Sequence, residues 1–301
     1  MTKRIFTLLL SLLTIVGAQA QLLWRISGNG LTRPSYVLGS YHLAQASFAD
    51  SIPQLREVLN NCEQVYGEMD MQNAMTNATS LQKLQESMML PAGTTLQTLL
   101  TAEEQTRLNT FLTNTLGADL SNPMLAPLAQ MKPAAVLTQL QVALCLKMYP
   151  VFNPTDQFDT YFQKVAQQNG KPIGGFETVD QQIDVLFNGT SLKRQAEQLM
   201  CLVDHPDYEM AEMKRIIEAF YAQDINTLGQ AMTEKRHNSC DYTPEEENRL
   251  IFTRNNNWAK ALPAVMKAKQ TLVVVGAGHL PGERGLLELL RKAGYEVTPC
   301  K

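Results

Sequence analysis

The stretch Leu272 to Gly285, reading LVVVGAGHLPGERG, narrows the folds open to this chain more than any other. An apolar, largely β-branched run such as Leu272–Val275 suits a strand covered on both faces. A sheet of such strands needs helices on both sides, which points to an α/β fold. The run stops at Gly276-Ala277-Gly278-His279, where glycine lets the backbone turn tightly, and a helix is predicted from Gly282 to Ala293. A histidine therefore stands just past the end of a buried strand, where open α/β sheets present their ligand crevice. The same grammar occurs near the other end of the chain, where Tyr36-Val37-Leu38 leads into Gly39-Ser40-Tyr41-His42. Two strand–Gly-x-x-His units, in a chain with only 4 histidines, are its main functional signal.

Between these units the pattern alternates. Leu22 to Ser27 reads as a strand, and Gly28-Asn29-Gly30 with Arg33-Pro34-Ser35 predicts a hairpin-like pair with Tyr36–Gly39. Asp50 or Ser51 can cap a helix running to about Asn61, with Pro53 near its first turn. Gln64 to Met69 is the next strand and ends in Glu68-Met69-Asp70. From Gln72 to about Pro150 helical spacing dominates, in Leu81–Met89, Ala102–Leu116 and Pro133–Met148, broken at Leu90-Pro91-Ala92-Gly93 and Ser121-Asn122-Pro123. This reads as a helical insertion forming a lid or a wall of the cleft. Its methionines, Met88, Met89, Met124, Met131 and Met148, read as adaptable core filler rather than a peptide groove. A helix over Phe158–Asn169 precedes a short strand, Ile173–Phe176, which ends at Glu177. Thr178–Phe187, Ser191–Val203, Tyr208–Ala222 and Thr243–Lys267 are further helices, and Tyr295–Thr298 is the last strand. The predicted fold class is α/β, a mainly parallel central sheet with a large helical insertion over about 72–150.

Length, composition and charge exclude several classes. A chain of 301 residues, 45% hydrophobic and 18% charged, is globular rather than disordered. A net charge of -3 without a basic run argues against nucleic acid as a partner. The N-terminus has the form of a signal peptide: Lys3 and Arg4, an apolar Ile5–Val16, and a small-x-small Ala18-Gln19-Ala20. Cleavage after Ala20 would leave a periplasmic or secreted protein, residues 21–301, and no later apolar run is long enough to span a membrane. In such a compartment some of the 5 cysteines should pair. Cys201 and Cys240, which flank a helical stretch, are the favoured bridge. No C-x-x-C occurs, which removes a cysteine zinc cluster.

The two motif histidines and an acidic strand end define the candidate chemistry. Imidazole is the commonest protein ligand for divalent transition metals. Two histidines and a carboxylate leave a coordination position open, as a hydrolytic metal centre requires. His42, His279 and Glu68 can supply that set from three strand ends, unless each histidine is simply a hydrogen-bonded group packed there. Glu177 can act as a further ligand, a general base or a helix cap. Arg254 can hold a carboxylate cluster, bind an oxyanion or substrate carboxylate, or form a surface salt bridge. His205 and His237, in turn-rich contexts, read as surface residues. Gly276-Ala277-Gly278 is not a dinucleotide fingerprint, because Pro281 stands where the third glycine belongs. P-loop and Gly-x-Ser-x-Gly motifs are absent.

Taken together these blocks resemble the TraB/GumN family, of the TIKI/PrgY kind. The matching residues are Leu23-Trp24-Arg25-Ile26 with Tyr36–His42, Val65-Tyr66-Gly67-Glu68, Phe158-Asp159-x-Tyr161-Phe162 with Gly170–Thr178, Arg254-Asn255 with Trp258, and Gly276–Leu280 with Gly282 and Gly285-Leu286-Leu287. Ser40 departs from the family's usual threonine. The resemblance covers nearly all of residues 21–301 and implies a TIKI/EreA/ChaN-like fold. It implies a metal-dependent peptidase using Mn, Co or Zn, held by His42, His279 and Glu68, with a peptide or small-molecule substrate. ChaN-like iron-regulated proteins imply the alternative, a non-enzymatic haem, metal or peptide binding protein with Tyr41 or His42 as an axial ligand.

Overall fold

The computed structural model describes residues 21–153 and 155–301. The predicted signal segment, residues 1–20, lies outside the described residues. The first elements are a hairpin of β1 (Leu23–Gly28) and β2 (Ser35–Ser40), in which Leu23 faces Leu38 across an antiparallel pair. Gly28, Asn29 and Gly30 all take positive φ in its turn, which explains the glycines there. Helix α1 (Leu55–Asn61) starts five residues later than Asp50, because Gln54 is left-handed and separates it from a 3₁₀ turn over Ala46–Ser51. Strand β3 (Gln64–Met69) follows.

The helical region opens with α2 (Met71–Thr76) and α3 (Ala78–Ser87), whose first turns are capped by the Asp70 and Asn77 side chains. Next come α4 (Ala102–Leu116), with a Thr101/Glu104 capping box, and α5 (Pro133–Met148), which starts on proline. Leu108, Leu112, Val136 and Leu140 form a core of their own with Leu199. The methionines contribute less than expected. Met124 is 85% exposed and Met89 is also exposed, while Met131 and Met148 only edge that core. Helix α6 (Phe158–Gln168) leads to β4 (Ile173–Glu177). Helix α7 (Val179–Ile183) is capped by Thr178, not Glu177, and runs on as a π-helical turn over Asp184–Asn188. Three helices follow: α8 (Leu192–Asp204), α9 (Pro206–Tyr221) and α10 (Ile225–Thr233), the last unforeseen in the sequence.

The predicted helix over Thr243–Lys267 is three pieces: α11 (Pro244–Glu247), a π-helical turn over Asn248–Phe252, and α12 (Thr253–Ala268). Arg254 thus opens α12 instead of lying inside one long helix. Strand β5 (Thr271–Gly276) precedes α13 (Leu286–Lys292), which begins after Gly285 rather than at Gly282, where φ is +86°. Strand β6 (Tyr295–Pro299) completes a sheet of order β4-β3-β5-β2-β1-β6. The four strands β2, β5, β3 and β4 are parallel, and β1 and β6 add antiparallel at one side.

Alternate residues of β5 serve opposite faces, as a strand's period of two requires. Leu272 and Val274 join a core with Phe158 and Phe162 of α6, and Val273 and Val275 join another with Trp258 and Leu262 of α12. The predicted Cys201–Cys240 bridge is present, with Cα atoms 5.7 Å apart, and Cys62, Cys145 and Cys300 are buried free thiols. Among the described residues no helix is long and apolar enough to cross a membrane.

Candidate active site at the carboxyl edge of the sheet

Four parallel strands end on one edge, and each delivers a candidate residue. His42 follows β2, Glu68 lies near the end of β3, Glu177 ends β4, and His279 follows β5 in a 3₁₀ turn. Arg254 reaches the same edge from the first turn of α12. Neighbouring strands make close approach possible: a Cβ at Gly276 would stand 3.2 Å from Glu68 Oε1. The Gly276 N–H instead donates to that oxygen at 2.8 Å.

Arg254 organises the centre. Its Nη2 donates to Glu68 Oε2 at 2.5 Å, and its Nε and Nη2 donate to the two oxygens of Glu177 at 2.7 and 3.0 Å. This planar, two-pronged match to a carboxylate is what guanidinium does best. Nη1 donates to His279 Nε2 at 3.1 Å and to the Leu250 carbonyl at 3.0 Å. Glu177 also accepts from Trp258 Nε1 at 3.0 Å and from Gln182 Nε2. Gln182 reaches Glu68 Oε2 as well, at 3.5 Å. The surface salt bridge considered for Arg254 is excluded, since its side chain is only 11% exposed.

The His279 ring is held in one tautomer. Its Nδ1 donates to Asn255 Oδ1 at 2.7 Å, and the Asn255 amide is itself oriented by donation to the His279 and Arg284 carbonyls at 3.2 and 3.0 Å. Nε2, carrying the lone pair, therefore faces Arg254 and lies 3.9 Å from Glu68 Oε1. Trp258 packs 4.5 Å from the ring, centroid to centroid. Burial pushes the His279 pKa down to about 4 and keeps the imidazole neutral. Burial works the other way on Glu68, but the charge of His279, Arg254 and the Gly276 N–H overcome it and hold Glu68 at about 2. Since His279 is neutral near pH 7, Arg254 is the permanent cation that keeps Glu68 ionised there.

His42 stands differently. Its Nδ1 donates to Asp159 Oδ2 at the start of α6, which raises its pKa to about 9. The charges of Glu68 and Arg254 reach it, but its side chain is 71% exposed and makes no hydrogen bond to either. The structure thus joins Glu68, Glu177, Arg254 and His279 in one network and leaves His42 at its margin. Among the described residues no three His, Cys, Asp or Glu side chains converge as a metal cluster. The donors nonetheless fit a divalent ion chemically. A lone-pair nitrogen and a carboxylate stand within 4 Å, and two carboxylates face one guanidinium, a surplus of negative charge. Tyr41 is drawn away from any such role. Its ring packs 5.7 Å from Phe220, and burial raises its phenol pKa. His205 and His237 are exposed, as the sequence suggests.

Asp159 and Asn255 were not singled out as site residues in the sequence. Their only signal was position, next to Phe158 and next to Arg254 in the blocks that carry the resemblance.

The chain is similar in sequence to proteins of one family. A sequence model of the TraB/PrgY/gumN family matches residues 22–299. Metalloprotease TIKI2 of Danio rerio is 24% identical over 317 residues, 91% of this chain and 60% of that protein. The metalloprotease TIKI homolog of Nematostella vectensis is 23% identical, over 90% of this chain and 65% of that protein. Metalloprotease TIKI1 of Homo sapiens is 24% identical, over 88% and 59%. The chain therefore spans about three fifths of the length of the curated relatives it matches. No solved structure matches it. With nearly all of the described chain covered by the family's sequence model, this protein belongs to the TraB/PrgY/gumN family.

Proposed function

We propose that this protein is a metal-dependent hydrolase of the peptidase kind, working in the periplasm or outside the cell. The observation that carries the proposal is the surplus of carboxylate over guanidinium at the strand ends, beside an imidazole nitrogen of fixed direction. The names of its TIKI relatives and the disulfide support the same reading. His42, His279 and Glu68 would hold the ion, which when bound supplies Lewis acidity toward a scissile carbonyl and makes water more acidic. Mn, Co and Zn all suit this nitrogen and oxygen donor set.

The remaining chemistry belongs to the chain. Asn255 keeps the proton on His279 Nδ1, so the lone pair is on Nε2, where an ion would replace the Arg254 Nη1 hydrogen bond. Asp159 fixes the proton on His42 Nδ1, and because it also keeps the ring protonated below about pH 9, an ion at Nε2 would have to displace the second proton. Arg254 keeps Glu68 ionised and presents a fixed cation for charge that builds up on substrate oxygen. Both Glu177 oxygens are already engaged by Arg254, Trp258 and Gln182, so Glu177 serves to hold Arg254 rather than to take a proton.

The test is metal content, by elemental analysis of untagged protein reconstituted with Mn, Co or Zn. About one ion per chain is expected, as for a mononuclear hydrolytic site. It should be lost in a His42→Ala/His279→Ala variant that still melts cooperatively. A variant that kept full occupancy would sink the ligand assignment, and folded wild type that takes up no ion would sink the metallopeptidase reading.

A further inference from the structure

Next to this network lies a cavity of about 520 Å³ that shares Glu177, Arg254 and Trp258 with it. Its wall carries a cation whose charge reaches Glu246, although Glu246 makes its ion pair with Arg194. Arg249 lines the cavity, and its Nε is buried without a hydrogen-bond partner. The acids next to it in sequence are engaged elsewhere, Glu246 by Arg194 and Glu247 by Lys235. Buried donors are almost always satisfied in folded proteins, and one left open calls for an explanation.

The placement of Arg249 is specific. A Cβ at Gly189 would stand 2.2 Å from Arg249 Nε, so glycine at 189 is what lets the guanidinium lie there. The segments that frame it, Asp184–Asn188 and Asn248–Phe252, are both π-helical turns, a form that recurs at functional sites. Phe176, Val185 and Trp258 make the neighbouring wall apolar. Besides Glu177, which Arg254 holds, two further acids line the cavity. Asp184 already accepts from Asn188 at 3.3 Å, and Glu245 is exposed, where water and salt screen it. Arg249, half-buried, is left as the cation on the cavity wall that makes no ion pair among the described residues.

We infer that this cavity is the substrate pocket, in which Arg249 binds a peptide carboxylate while Phe176, Val185 and Trp258 receive an adjoining apolar side chain. The inference rests on the peptidase reading and names its substrate class. A carboxylate matches the guanidinium fork, and it is offered either by a peptide's C-terminus or by an acidic side chain.

Calorimetric titration distinguishes these sources. The probes are acetyl-Ala-Ala-Phe as the free acid, the same peptide as its C-terminal amide, and acetyl-Ala-Phe-Asp-amide. Each is titrated into the unaltered protein and into Arg249→Met, Arg249→Lys and Gly189→Leu. Binding of the free acid at least about tenfold tighter than the amide is expected for a C-terminal carboxylate. Equal binding of the acid and the Asp peptide, with the amide weak, points to any carboxylate. In both cases Arg249→Met and Gly189→Leu should lose about tenfold or more, and Arg249→Lys should recover part of it. If the amide binds the unaltered protein as tightly as the acid, the inference is wrong, and that comparison does not depend on any variant folding. Arg249→Met binding like wild type would overturn it equally. Cleavage of the same peptides with Mn present is read separately by mass spectrometry. Carboxylate-dependent binding without cleavage overturns the peptidase reading and leaves the pocket standing. Cleavage that ignores the carboxylate does the reverse.

Discussion

Asp159 and Asn255 decide which face each motif histidine shows to the centre, and they differ in one respect: one is a carboxylate, the other a neutral amide. With Asp159 raising the one and burial lowering the other, the two histidines respond to pH in opposite directions. His279, held near 4 by burial against a usual 6.5, costs stability wherever the unfolded chain takes up a proton that the folded one refuses. Stability should fall as pH drops from about 6.5 to 4, by roughly 3 kcal/mol at most for a shift of this size. His42, raised to about 9 by Asp159, adds stability that is complete below about 6.5 and is lost as pH rises through 9. At 71% exposure solvent screens that pair, and its effect should be small. Melting temperature measured from pH 4 to 10 should therefore show a steep acid limb and a shallow alkaline one. Asp159→Asn should remove the alkaline limb only, and an unchanged limb would show that His42 is not paired in solution. None of this was legible in the sequence, which exposes a histidine's neighbours along the chain but not the acceptor across the fold that fixes its tautomer.

Elements were legible where one rule dominated. Strand β5 is apolar because both its faces are covered, and α4 declares itself through its Thr101/Glu104 box and Gly117. Reading failed where tertiary contact overrode local pattern. Helix α10 contains Gly229, which reads as a breaker, yet a Cβ there would press to 2.9 Å on Pro281, beside the second motif. The two π-helical turns were equally hidden, since an extra residue in a turn leaves the apolar spacing almost unchanged. A prediction at this scale concerns how β4 meets β3. A Cβ at Gly175 would stand 2.3 Å from the Asp70 backbone nitrogen and 2.6 Å from Met69 Cα, atoms that cannot swing aside. Gly175→Ala should cost about 2–3 kcal/mol in chemical denaturation, at the upper range of overpacking effects. It should also disturb Glu68 and Glu177, which sit at the ends of those two strands. Loss below about 0.5 kcal/mol would mean the strands are not so closely set.

At the scale of the molecule, the α/β class and the helical region between the sheet's halves followed from alternation of pattern, because layer architecture depends on period more than on residue identity. The order β4-β3-β5-β2-β1-β6 did not follow, since period alone does not say which strands are neighbours. The Cys201–Cys240 bridge ties α8 to the loop before α11 across 39 residues. Replacing both cysteines by serine should lower stability by about 4 kcal/mol if chain entropy in the unfolded state governs the effect. Thermal melts with and without reductant check this, and equal melting points would show that the bridge does not form. The central position of β5 carries a different kind of consequence. A ribosome releases β2 and β3 long before residues 271–276, yet the two strands touch only through the one not yet made. Until it slots between them, the nascent chain has neither His279 nor the Gly276 N–H on which Glu68 rests. Synthesis itself thus acts as a timer, and whatever the site does, it starts only after residues 271–279 have been made and set in place.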